Sequence, residues 1–125
     1  MAPMQIERVD ATLGAVVTGV RLAELDDTGW TEIEGAFHEH AVLVFPDQHL
    51  TSEEQRSFGG RFGPLEDLGT GPGYTPITNT TRGGDVRPAD DPVLTILRGN
   101  EGWHTDSSYM PVAAKASMLS AHVVP

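Results

Sequence analysis

Ala41-Val42-Leu43-Val44-Phe45-Pro46 is a continuous apolar, β-branched run, closed by a residue that has no backbone N–H to donate. Its composition predicts a strand buried on both faces. Working upstream, Asp26 to Thr28 carry side-chain oxygens able to cap a helix, and Trp30, Ile33, Phe37 and Ala41 then fall at three- or four-residue spacing, one face of that helix. Downstream, Thr51-Ser52-Glu53-Glu54 spells a capping box. In the helix it opens, Phe58 and Phe62 lie four apart, and Gly63-Pro64 ends it. Gly59-Gly60 weakens that helix by about 1 kcal/mol per glycine, so packing of the two Phe must hold it.

Farther out, Gln5 to Val9 and Ala15 to Val20 read as short strands, with Gly14 and Gly19 as breaks. Leu65 to Pro92 is loop-like, rich in the chain's 14 Gly and 9 Pro, with one short strand at Pro76 to Asn79. Uncovered loops of this length often bind ligands or act as lids. Val93 to Leu97, Trp103 to Asp106 and Ser117 to Val124 read as further strands. Helices early and strands late predict an α+β fold with an antiparallel sheet. The final hydrophobic strand would leave an unpaired edge, so its neighbours are expected outside this sequence.

At 125 residues, the sequence has room for one full-sized domain. Its net charge of −10 repels phosphate backbones, and no Lys/Arg cluster offsets that, which argues against nucleic acid and anionic membranes as partners. An anionic substrate would need local cations; Arg82, Arg87, Arg98 and Lys115 are the candidates. The absence of cysteine excludes disulfides, thiolate zinc sites, iron–sulfur clusters and cysteine nucleophiles. No basic start leads into an apolar run and no segment reaches membrane-spanning length, so a cytoplasmic protein is expected. Oligomeric state is left open, with a homo-oligomer compatible.

His104-Thr105-Asp106 places an imidazole and a carboxylate two residues apart. On a strand such residues share a face, about 6–7 Å apart along the backbone, and both side chains can lean onto one metal ion. Two His and one carboxylate form a facial triad that leaves three adjacent positions open and favours ferrous iron that activates oxygen. The bare pattern carries little weight: with five His and eighteen acidic residues, chance produces it roughly 0.7 times. Its surroundings, Gly99-Asn100-Glu101-Gly102-Trp103 before it and Ser107-Ser108-Tyr109 after, carry more.

That segment resembles the metal-binding stretch of the taurine dioxygenase and chlorophenoxyacetate dioxygenase family of iron(II)/2-oxoglutarate-dependent oxygenases, which reads Asn-x-x-Trp-His-Thr/Ser-Asp followed by an aromatic residue. Leu13-Gly14-Ala15 with Val17, Gly19 and Val20 is similar to the family's opening strand. Val42-Leu43-Val44-Phe45 with Gln48, Leu50, Thr51, Glu54, Phe58 and Arg61-Phe62-Gly63 resembles its strand–helix signature. Ala116-Ser117 with Leu119, Ala121 and Val123-Val124-Pro125 resembles the strand after the metal loop.

The resemblance implies a double-stranded β-helix (a cupin-like jelly-roll) with flanking helices, of which residues 1–125 are a single incomplete oxygenase domain lacking the C-terminal half of the barrel. It implies Fe(II) held by His104 and Asp106, with 2-oxoglutarate as co-substrate, O2, and hydroxylation of a small organic, anionic substrate. Asn100 matches an asparagine beside the substrate and the 2-oxo acid, and Trp103 would pack behind the ligands. Tyr74 is a candidate substrate-loop contact. The second His ligand and the Arg that binds 2-oxoglutarate would lie beyond Pro125. Taurine dioxygenase has a histidine for the sulfonate in the loop that here reads Pro64-Leu65-Glu66-Asp67-Leu68, which argues against taurine.

Other constellations read as bland. His38 and His40, two apart on a helix, point about 200° from one another and cannot share a metal, so they serve the helix end as cations. His49 reads as a solvated turn residue and His122 as a half-buried strand histidine. Gly69-Thr70-Gly71-Pro72-Gly73 lacks the Lys-Ser/Thr of a phosphate loop, and Ser107-Ser108 lacks a nucleophile elbow. A catalytically inactive fragment or jelly-roll binding module is the alternative to the oxygenase.

Overall fold

The computed structural model describes residues 3–67 and 75–124. They fall into two compact units, one within Met1–Leu65 and Met118–Pro125, the other within Glu66–Ser117.

In the first unit, β1 (Gln5–Arg8) and β2 (Ala15–Thr18) pair antiparallel, Gln5 opposite Thr18 and Arg8 opposite Ala15. Helix α1 (Asp27–His40) then carries the chain across to β3 (Leu43–Val44), which pairs parallel to β2 with Ala15 opposite Leu43. The order in the sheet is β1-β2-β3. This corrects the expected antiparallel sheet: β2 and β3 are separated by a whole helix, the crossover that parallel neighbours require. Asp26 caps α1, its Oδ1 accepting from the Gly29 amide at 2.8 Å.

The apolar run at 41–46 forms a much shorter strand than expected, and it is not buried on both faces. Ala41 is the C-cap of α1, in the left-handed conformation at φ 63°, rather than part of the helix face. Asp47 is left-handed as well, at φ 55°, and Pro46 donates nothing, so the ladder stops after two residues. Val42 and Val44 are each 51% exposed. Leu43 and Phe45 are the members that pack on the core.

That core is Leu22, Ile33, Leu50 and Phe58, flanked by Trp30, Phe45, Phe62 and Met118 among others. Phe58 and Phe62 come from α2 (Ser52–Gly60) and the turn after it. Phe62 meets Trp30 edge-on at 4.8 Å and Phe37 at 5.3 Å, while Phe58 meets Phe45 at 5.9 Å. Edge-to-face pairs of this kind favour the ring quadrupoles. The expected capping box is present: the Thr51 amide donates to Glu54 Oε2 at 2.7 Å, and the Glu54 amide to Thr51 Oγ1 at 3.2 Å. Gln48 ties the chain ahead of α2 to the turn after β2, since its amide nitrogen donates to the Val20 and Pro46 carbonyls and its oxygen accepts from the Leu22 amide.

In the second unit, residues 79–87 form a narrow loop closed by the Thr80–Val86 bridge, and the expected strand at Pro76 to Asn79 is absent. Val93 to Leu97 is helical, not a strand. Asp91 caps α3 (Pro92–Gly99) by accepting from the Val93 amide at 2.8 Å, and Pro92 occupies the first turn, where its missing N–H costs nothing. Leu94 and Leu97 are its half-buried positions. Ser117 to Val124 forms no strand either: no described strand receives its ladder, and Leu119, Val123 and Val124 are exposed. No helix among the described residues is long and apolar enough to cross a membrane.

Two outcomes follow from these caps. Alanine pays a steric cost in the left-handed region that glycine escapes, so Ala41→Gly should raise unfolding free energy by about 1 kcal/mol, read from the urea midpoint; a fall would contradict the C-cap. The Thr51 backbone N–H, then its hydroxyl, hold the Glu54 carboxyl below its ordinary 4.5. The cap's contribution is therefore complete above that value and disappears as pH falls through the depressed one. Protection of the Thr51 amide from hydrogen exchange should drop over that window, and Glu54→Gln should abolish the pH dependence.

Candidate metal centre

After α3 the chain turns instead of extending. Asn100 is the helix C-cap, its amide bonded to the Leu97 carbonyl at 3.1 Å, and Glu101 bonds back to Arg98 at 3.1 Å. Ser107 is left-handed at φ 56°, and the Met110 amide closes onto its carbonyl at 3.0 Å. The strand expected at Trp103 to Asp106 is thus replaced by turns that satisfy their own backbone groups locally.

The turns bring the side chains of His104 and Asp106 together. His104 Nε2 lies 3.1 Å from Asp106 Oδ1. Its Nδ1 lies 2.8 Å from the Gly102 carbonyl. A carbonyl only accepts, so Nδ1 carries the proton of that bond, and Nε2 is the nitrogen turned toward the carboxylate. The other carboxylate oxygen, Oδ2, accepts from the Ser117 hydroxyl at 3.0 Å. Gly102 and Ser117 therefore orient one donor each and leave the two remaining atoms facing one another. The Gly102 carbonyl raises the His104 pKa above 6.5; desolvation opposes it, and the charge and hydrogen bond of Asp106 add to the rise.

This donor set fits a divalent cation in part. A separation of 3.1 Å suits two donors on adjacent positions of one ion at bond lengths of about 2.1 Å. An imidazole whose second nitrogen is tied to a carbonyl, and a carboxylate whose second oxygen is tied to a hydroxyl, have the outer partners typical of metal ligands. Among the described residues no group of three or more His, Asp, Glu or Cys converges. Among the described residues, two donors of this kind meet.

The other predicted residues are scattered. Asn100 is exposed at the end of α3. Trp103 does not pack behind the ligands as expected; the turn throws it fully into solvent, where with Glu101, Gly102 and His104 it lines a shallow open depression. Tyr74 lies outside the described residues. His38 and His40 occupy the last turn of α1, His49 is exposed in a turn, and His122 is an exposed bend residue rather than a half-buried strand one. Among the candidate cations, Arg87 reaches the Thr80 carbonyl and Asp91 at 3.1 Å each, and Arg98 the Ala89 carbonyl at 3.2 Å. Sequence reasoning missed the parts played by Gly102 and Ser117. Ser117 is eleven residues from Asp106, and no local pattern links them.

The model for the taurine catabolism dioxygenase TauD, TfdA family matches residues 5–125. The chain belongs to that family. It is 52% identical over 128 residues to a TauD/TfdA relative from Sphingobium herbicidovorans named (S)-phenoxypropionate/alpha-ketoglutarate-dioxygenase, covering 100% of this chain and 43% of the relative. It is 46% identical over 126 residues to a protein of the same name from Delftia acidovorans, covering 98% of this chain and again 43% of the relative. Among solved structures, AAD-2 in complex with Mn(II) and N-oxalylglycine matches with a TM-score of 0.81 at 32% identity, over 90% of this chain and 40% of AAD-2. The chain thus spans about two fifths of the length of these TauD/TfdA relatives.

In metal-free protein, Asp106→Asn should lower the His104 titration midpoint toward 6.5 without taking it below, because the Gly102 carbonyl stays in place. An NMR titration of the imidazole checks this; an unchanged midpoint would mean that the two side chains do not meet.

Proposed function

We propose that this chain is part of an Fe(II)/2-oxoglutarate-dependent dioxygenase and supplies two of the three protein ligands to iron, His104 Nε2 and Asp106 Oδ1. The observation that carries this reading is their 3.1 Å approach, each with its outer atom already held. The reaction couples oxidative decarboxylation of 2-oxoglutarate to hydroxylation of a small organic anion, giving succinate, carbon dioxide and the hydroxylated product. The relatives' names support 2-oxoglutarate and an aryloxyalkanoate substrate. AAD-2 was solved with N-oxalylglycine, whose skeleton is that of 2-oxoglutarate with one methylene replaced by NH.

When bound, ferrous iron supplies the redox chemistry that spends dioxygen on the 2-oxo acid and on the substrate's C–H bond. The chain's own residues prepare the seat. His104 gives up the proton on Nε2 and keeps its Nδ1–H bond to Gly102, which fixes the tautomer and the orientation of the ring. Asp106 brings a carboxylate that the Ser117 hydroxyl orients through Oδ2. Asn100, at the end of α3, offers a polar side chain four residues ahead of His104 for the substrate or 2-oxo acid. Trp103 supplies an exposed aromatic surface beside the ligand.

The remaining ligand, a histidine, and the arginine for 2-oxoglutarate belong in this reading to the part of the family fold that the chain does not span. The same part completes a double-stranded β-helix, making residues 1–125 a piece of one oxygenase domain. The protein acts on small molecules in the cytoplasm, and its acidity disfavours nucleic acid and anionic membranes. The alternative of an inactive binding module has no feature of this site in its favour, since such a module has no need of two outer hydrogen bonds aimed at an imidazole–carboxylate pair.

The test is anaerobic addition of Fe(II) and 2-oxoglutarate to the full-length protein. A visible charge-transfer band should form in wild type and vanish in His104→Ala and Asp106→Ala, and oxygen consumption with an aryloxypropionate should fall at least 100-fold in both. Iron uptake and oxygen consumption untouched by either substitution would end this reading.

A further inference from the structure

Ser107, immediately after Asp106, is 7% exposed and left-handed at φ 56°. A serine in that conformation carries a cost of about 1 kcal/mol or more and persists only where surrounding contacts over-determine it. The contact at Ser107 comes from a side chain 41 residues earlier: the Ser107 hydroxyl donates to Glu66 Oε2 at 2.5 Å. A hydroxyl on a carboxylate at that distance is among the strong, charge-assisted hydrogen bonds. The second oxygen, Oε1, is buried without a hydrogen-bond partner. Keeping a carboxylate oxygen in that condition is costly, which marks the position as one where an acidic side chain does something that a small apolar one would not.

We propose that Glu66 is a positioning residue for the metal site, holding Ser107 left-handed so that the Asp106 carboxylate turns back onto His104. The proposal rests on the metal-site reading above. The path from Glu66 to the donor atoms is short: Glu66 fixes the Ser107 side chain, Ser107 fixes the reversal of the backbone, and the reversal sets where Asp106 Oδ1 lies. Ser117 then locks the carboxylate from its other side. Without Glu66 the turn keeps the Met110-to-Ser107 backbone bond, and its left-handed serine is free to relax into extended backbone. Relaxation would carry the carboxylate away from Nε2 and leave the two donors unable to share an ion.

The experiment is Mn(II) titration of the full-length protein by EPR, alongside thermal unfolding of the metal-free protein. Glu66→Ala should weaken Mn(II) binding about tenfold, in the range found for outer partners of metal ligands. Glu66→Gln keeps an oxygen for Ser107 and should recover binding to within about threefold of wild type. Ser107→Ala should resemble Glu66→Ala, whereas Ser107→Gly adopts the left-handed conformation without strain and should lose less. In the double variant Glu66→Ala/Ser107→Gly, the loss should match that of Ser107→Gly alone. Mn(II) affinity unchanged in Glu66→Ala, with or without a lower unfolding temperature, overturns the positioning role, as does failure of Glu66→Gln to recover binding. His104→Ala separates the two readings. If it binds Mn(II) as wild type does, or wild type takes up none, the metal-site reading fails and this inference with it. If His104→Ala loses Mn(II) and Glu66→Ala does not, this inference fails alone.

Discussion

The arrangement depends on a division of labour within two side chains. Asp106 has two oxygens and His104 has two nitrogens; in each, one atom is bound to a fixed neighbour, Ser117 or Gly102, and the other faces across a 3.1 Å gap. Exposed ion pairs ordinarily contribute little, because long side chains lose entropy in holding one geometry. Here that loss is met by the outer bonds, which restrict both side chains before any ion arrives. In the proposed function, an ion bound there would take the place of a proton without having to order the two side chains.

The first unit shows how a family resemblance is written in packing. Gln48, one of the residues through which the likeness was recognised, meets three backbone groups with one side chain. Phe58 and Phe62 form the edge-to-face cluster that compensates for the two glycines at the end of α2. Only the four-residue spacing of Phe58 and Phe62 could be read from letters; the bonds of Gln48 to Val20 and Leu22 span 28 and 26 residues and follow no period.

Legibility stopped where the deciding group was distant or where periodicity was ambiguous. Val93 to Leu97 is apolar and partly β-branched, and a run of five fits strand and helix alike. The Asp91-Pro92 start decided for helix, through one side-chain bond to the Val93 amide. At 41–46 the composition was right for a strand, but two left-handed residues and a proline cut it to two positions. The approach of His104 and Asp106 was legible, because they are two apart, though the strand expected to carry them is a turn. Ser117 and Glu66 were not legible, since their bonds span eleven and 41 residues and follow no period. The exposed position of Trp103 runs against the tendency of tryptophan to be covered.

That last feature has an optical consequence. Of the two indoles in the chain, Trp30 sits in the aromatic cluster of the first unit and Trp103 stands in solvent, bonded through the backbone to His104. The long-wavelength edge of the emission therefore belongs to Trp103. A paramagnetic ion seated beside the neighbouring imidazole would dim that edge, so the protein would carry its own optical gauge of whether the seat is filled.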